Sequence, residues 1–306
     1  MNMLQYVRRQ GPRVMLLVVI VLIGAYFRLN GLYSWDEPSF RLHPDERFLT
    51  EVASQIDLPN SFHQFIDSSN TPLNPRNGNY KFFVYGMLPH TMTRFVAVAL
   101  TSPERMSPRL TTPTTYGDGS NPEYKLAKAI PNSVRKLINP DGVDYTADIH
   151  KVGRGLSAFF DLLSILLIFA IARRLYGEKV AYLAALMTAG TAFLIQQAHF
   201  FTVDATSTTF ILLTIYYAVR IVQRGAWYDY IGAAVGVGAA IACRITLATV
   251  ALAVLVAVAT RFYRAYSNDN RRAMIREVLL VVMWGILTLF AARTLGPDMF
   301  AGTMPG

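Results

Sequence analysis

The chain has 306 residues, 53% of them hydrophobic and only 16% charged, a balance too apolar for an ordinary soluble domain. Its 29 Lys+Arg against 20 Asp+Glu leave a net charge of +9. Such an excess suits nucleic acid or anionic lipid; the arginines sit at the ends of apolar runs and no nucleic-acid-binding motif is present, which selects lipid. One cysteine, Cys243, excludes an intrachain disulfide framework and a cysteine-cluster metal site, and its apolar surroundings predict a buried small hydrophobe.

In chain order, the first apolar run, Val14–Leu32, follows Arg8, Arg9 and Arg13. No small-x-small cleavage site follows it, so it is expected to stay as an anchor rather than leave as a signal peptide. Next comes His43-Pro44-Asp45-Glu46-Arg47. Pro44–Ile56 is expected to be a helix, with proline at its first position and Phe48, Leu49, Val52 and Ile56 on one face. Asp45 and Glu46 then occupy the first turn, where free N–H groups favour anions. Neighbours on a helix point about 100° apart, so one carboxylate faces a reaction centre and the other supports it. Pro-Asp-Glu is equally an ordinary helix start.

Asn70–Asn79 and Thr111–Pro122 read as irregular connections. Lys81–Leu100 is apolar and aromatic but interrupted by Pro89, His90 and Arg94, and is expected to lie on the membrane surface rather than to span it. Six more apolar runs follow: Leu156–Ala172, Val180–Ile195, Ala205–Val219, Tyr228–Cys243, Ile245–Thr260 and Val278–Ala292. Several fall short of the ~20 residues of a span, and flanking aromatics or snorkelling arginines extend them. Asp161 lies inside the second run, where a polar helix–helix contact is the simplest account. In His199-Phe-Phe-Thr-Val-Asp204, between the third and fourth runs, Thr202 can cap the next helix with Asp204 in its first turn. Arg244 interrupts the apolar stretch between the fifth and sixth runs and should pair with a carboxylate or a phosphate.

With the N-terminus cytoplasmic, thirteen basic residues fall on that side: Arg8, Arg9, Arg13, Arg173, Arg174, Lys179, Arg220, Arg224, Arg261, Arg264, Arg271, Arg272 and Arg276. The short loops opposite carry Arg244 alone. This bias predicts seven spans and an extracytoplasmic first loop from about Gly31 to Lys151. The fold class expected is therefore an all-α polytopic membrane protein of about seven transmembrane helices, with juxtamembrane helices in the first loop. The acidic cluster, Asp204 and Arg244 share the outer face, an arrangement suited to a lipid-linked phosphate.

On these residues the sequence resembles the GT-C superfamily of polytopic glycosyltransferases, nearest the protein O-mannosyltransferase and aminoarabinose transferase group. The resemblance runs through Asp45-Glu46 after the first span and Arg154-x-x-Ser157 at the opening of the second. It continues through Arg173-Arg174-Leu175-Tyr176-Gly177, the His199–Asp204 loop and the aromatic fourth span leading to Arg220. It implies catalytic Asp45, with Glu46 completing the pair, and a substrate site of Asp204 and Arg244 joined by His43, Arg47 and His199. The donor implied is a sugar on a polyprenyl phosphate, and the acceptor a protein, lipid or glycan. Some members of the superfamily hold a divalent metal and others do without, so the cofactor stays open. Also implied are inverting transfer at the outer face of the plasma (inner) membrane and a single module over 1–306, with loop 31–151 and helices two to seven over 152–306. Superfamily members are usually longer, so the chain is expected to be an N-terminal portion truncated at its C-terminus. A transporter, resting on the intramembrane charges Asp161 and Arg244, and a non-catalytic scaffold are the alternatives.

Overall fold

The computed structural model describes residues 3–34, 43–78, 80, 83–106 and 121–300, so 111–120 of the expected Thr111–Pro122 connection, and Asn79, Lys81 and Phe82, lie outside the described residues. The described residues form thirteen α-helices and no strand. The first is α1 (Met3–Leu29). The long connection carries α2 (Pro44–Gln55), α3 (Phe62–Ile66), α4 (Leu88–Leu100), α5 (Pro122–Ala129) and α6 (Asn132–Ile138). Then come α7 (Ile149–Tyr176), α8 (Glu178–Gly190), α9 (Ala192–Ala198), α10 (Val203–Gln223), α11 (Trp227–Cys243), α12 (Ala251–Ser267) and α13 (Arg271–Leu295). Tight turns at Ile245–Val250 and Pro297–Phe300 precede α12 and follow α13.

Each of the seven apolar runs is helical. Five segments are long and apolar enough to cross a bilayer: Gly11–Leu29, Ile149–Tyr176, Val203–Gln223, Ile245–Ser267 and Arg271–Leu295. A sixth exists if α8 and α9, bent by 57°, count as one. The seventh, α11, is apolar but has 17 residues. At 1.5 Å per residue it covers about 25 Å, less than a ~30 Å hydrocarbon core, and it starts with Trp227 and Tyr228, residues suited to an interface. The protein is an all-α polytopic membrane protein.

The expected third run is not straight, and the break has a visible partner. Arg28 of α1 is fully buried and ion-paired with Asp161 of α7. It also donates to the Ala189 and Thr188 carbonyls at 2.9 and 3.2 Å, in the turn where α8 ends. Terminal carbonyls lack helical partners, and the guanidinium supplies them. Asp161 is therefore the helix–helix contact expected of it.

The basic residues at the other end do similar work. Arg261 and Arg276 donate to the Ile221 and Gly225 carbonyls at 3.3 and 2.8 Å, closing the C-terminus of α10. Arg174 holds Gln223 at 3.0 Å.

The connection after α1 folds onto the opposite end. Leu49, Val52, Ala53 and Ile56 of α2 pack with Leu73, Phe83, Met87 and Ala97, and with Ile149 and Val152 of α7 and Phe201 and Val203 beside α10. Here the structure corrects the surface-helix expectation. Helix α4 is shorter than Lys81–Leu100, and its interrupting residues face protein: Pro89, His90 and Arg94 are all buried. Arg94 forks onto Glu123 at 2.8 and 2.5 Å, and Glu123 also accepts the Leu58 N–H at 3.3 Å. A buried cation is tolerated because its hydrogen bonds are made. Burial holds His90 neutral, its pKa pushed down to about 3.

Candidate functional site

Helix α2 starts as its sequence dictates, with Pro44 in the first turn, His43 extended at the N-cap, and Asp45 and Glu46 in the first turn. The two carboxylates then part company. Glu46 is fully buried and receives Arg154 of α7 in a fork, Nε to Oε1 at 2.6 Å and an Nη to Oε2 at 2.7 Å. Its Oε1 also accepts the Phe201 N–H at 3.1 Å, and Arg154 reaches the Leu32 carbonyl at 3.2 Å. Glu46 thus ties α2 to the end of α1 and to the entries of α7 and α10. Gly153 makes room for this: a Cβ there would lie 2.2 Å from the Phe201 ring.

Asp45 is half-buried and lies near Tyr85, whose phenol feels its charge. The guanidinium carbon of Arg244 stands 5.2 Å from the centroid of the Tyr85 ring. Asp204, in the first turn of α10, lies 3.9 Å from the same guanidinium. Both partners of that contact remain open, with side-chain exposures of 36% for Arg244 and 41% for Asp204. Burial, then the nearby Asp45, raises the Tyr85 phenol above its ordinary range, while Arg244 opposes the shift.

The structure therefore brings Asp45, Asp204 and Arg244 to one place and sets Glu46 behind them. His43 sets its ring 5.0 Å from that of Phe200, which itself lies under Arg154, and its buried Nδ1 has no hydrogen-bond partner. His199 sits in the scaffold: Nδ1 lies 2.8 Å from the Ile195 carbonyl and Nε2 3.1 Å from that of Asn30, linking α9 to the end of α1. Arg47 is exposed on α2, away from these contacts. Thr202 holds the N-cap position of α10 but makes no capping bond, and its hydroxyl is buried without a partner. Sequence reasoning missed Tyr85, which lies in no motif, and the partner of Arg154, which only folding reveals.

Among the described residues, no three His, Cys, Asp or Glu side chains converge as a metal-binding set. The cation built into the site is Arg244. Two carboxylates beside one under-coordinated guanidinium can accept a proton on one side and meet an anion on the other.

The fold and this cluster define a polytopic membrane protein with two carboxylates and a guanidinium gathered at one end of its helices. Residues 150–294 match the family model of dolichyl-phosphate-mannose-protein mannosyltransferase. No curated protein and no solved structure matches. The match makes α7 to α13 similar to that family of membrane mannosyltransferases. The matched segment runs from α7 into α13 and contains Arg154, Asp204 and Arg244; Asp45, Glu46 and Tyr85 lie ahead of it.

Proposed function

We propose that the protein transfers a mannosyl-type sugar from a polyprenyl-phosphate donor to an acceptor hydroxyl on the extracytoplasmic face, inverting the anomeric centre. The observation that carries this reading is the meeting of Asp45, Asp204 and Arg244 at the helix ends opposite the arginine-rich ones. By the positive-inside bias those basic ends, and the N-terminus, are cytoplasmic.

Asp45 acts as general base. It takes the acceptor hydroxyl proton as that oxygen bonds to the anomeric carbon, and the bond from that carbon to the phosphate oxygen breaks with its electron pair. The polyprenyl phosphate departs with the added negative charge, which Arg244 stabilises. Asp204 orients Arg244, and Glu46 with Arg154 fixes the start of α2 and so the position of Asp45. One base opposite the leaving group suffices for inversion, without the covalent intermediate of a two-carboxylate retaining scheme. The acceptor is a hydroxyl of a protein, lipid or glycan. Of the two charges behind the transport alternative, Asp161 is already neutralised by Arg28.

The test is transfer by the full-length protein in proteoliposomes given polyprenyl-phosphate mannose, with the product's anomeric configuration read by NMR. Inverted product from that donor, and none from a nucleotide sugar, supports the reading. Equal use of a nucleotide sugar, or solute uptake without transfer, overturns it.

A further inference from the structure

The Asp45 and Arg244 side chains belong to chain segments that the fold joins through one residue. Tyr85 lies in the short stretch that leads into α4, docked on the junction between α11 and the Ile245–Val250 turn. The Gly86 N–H donates to the Cys243 carbonyl at 2.8 Å. A Cβ on Gly86 would lie 2.0 Å from the Ala242 carbonyl oxygen, so glycine alone permits the approach. The Met299 methyl of the Pro297–Phe300 turn closes on the same spot, 2.8 Å from that hypothetical Cβ. On the other side Phe83 and Phe48 hold the Tyr85 ring, with centroids at 6.0 and 6.3 Å. The backbone beside Tyr85 is therefore pinned to the junction that carries Arg244.

The mode of contact matters as much as its existence. Tyr85 meets Arg244 ring to cation, at 5.2 Å, a contact that needs none of the guanidinium's N–H donors in a hydrogen bond. The 3.9 Å contact with Asp204 is too long to use them up. The Tyr85 hydroxyl lies near Asp45 and can donate to it, and a carboxylate that accepts one such bond keeps lone pairs to spare.

We propose that Tyr85 is the positioning residue of the transfer site: its hydroxyl orients the Asp45 carboxylate while its ring holds Arg244 with its N–H edge open to a phosphate. This inference rests on the glycosyl-transfer reading above. It extends that reading by separating two functions of one side chain.

The experiment compares Tyr85→Phe, which keeps the ring, with Tyr85→Leu, which does not, in the full-length protein. Thermal unfolding in detergent first confirms that both variants fold. Tyr85→Phe should lower kcat about tenfold, since a hydrogen bond to a charged group is lost. It should also leave the donor KM unchanged. Tyr85→Leu should in addition weaken binding of polyprenyl phosphate, used without its sugar, about tenfold. Wild-type kcat in Tyr85→Phe would overturn the proposal. So would equal losses of kcat and of polyprenyl-phosphate binding in both variants, the mark of a purely structural residue. Asp45→Asn and Arg244→Ala run alongside: transfer by Asp45→Asn at the wild-type rate removes the underlying reading, whereas an inactive Asp45→Asn beside an unaffected Tyr85→Phe removes only the role given to Tyr85.

Discussion

Arg154 and Arg244 each face an acidic partner at the same end of the helices, yet they meet it in opposite ways. Arg154 is buried, forked onto Glu46 at 2.6 and 2.7 Å, with a further nitrogen on the Leu32 carbonyl. Arg244 is over a third exposed, 3.9 Å from Asp204, with its guanidinium carbon 5.2 Å from the centroid of a tyrosine ring. The first arrangement satisfies the donors of a cation and so holds the fold. The second leaves donors free and so has chemistry to offer. Arg28 with Asp161 and Arg94 with Glu123 belong with the first kind.

That contrast can be broken most forcefully at the saturated pairs. Glu46→Gln removes the charge facing a buried guanidinium and should destabilise the protein by about 3 kcal/mol, read as lowered thermal stability in detergent. Arg28→Met should have a similar effect, because Asp161 and the carbonyls at the end of α8 lose their partner together; unchanged unfolding would show that the pair contributes nothing.

At the open site the expected damage is to binding rather than to folding. Arg244→Ala should raise the donor KM about 10- to 100-fold, the worth of a charge-assisted bond to phosphate, with unfolding temperature unaltered. A fall in stability without a change in KM would move Arg244 into the structural group.

Next comes a pH effect outside the spans. Burial pushes the Asp298 carboxyl up to about 6, with Arg76 and backbone N–H groups opposing. A raised folded pKa means that the folded state holds the proton more tightly than the unfolded one. The contribution of Asp298 to stability is therefore present below pH ~4 and lost as pH rises to about 6. Asp298→Asn should abolish this slope and stabilise the protein at pH 7 by about 3 kcal/mol at most. The same pH slope in wild type and variant would contradict it. The smallest effect is expected at Arg47, exposed on α2: Arg47→Ala should change stability by less than ~0.5 kcal/mol and leave the donor KM within twofold, and a larger KM change would bring Arg47 into the site.

Much of the architecture was legible because a membrane span needs a long apolar run, and such runs stand out in any sequence. The parting of Asp45 and Glu46 was legible too, since helix geometry alone forbids both from facing one atom. Other features depend on contacts between distant residues. The bend between α8 and α9 is completed by Arg28, far away in the chain, and nothing around Gly190 and Thr191 announces it. Helix α4 looked like a surface helix because Arg94 interrupts an apolar run; only its pairing with Glu123 lets that arginine be buried. Tyr85 carried no local signal, for its place is set by the approach of Gly86 to Ala242 and Cys243.

The most direct measurement sets the two neighbouring carboxylates against each other. Thermal unfolding and mannosyl transfer from polyprenyl-phosphate mannose would be recorded for Asp45→Asn and Glu46→Gln in parallel. Loss of a general base costs about 10²–10⁴-fold in rate. Asp45→Asn should therefore lose transfer by that factor at wild-type stability, while Glu46→Gln should lose stability first. Normal transfer by Asp45→Asn, or two variants indistinguishable in both measurements, would contradict the division between a carboxylate that reacts and a carboxylate that holds.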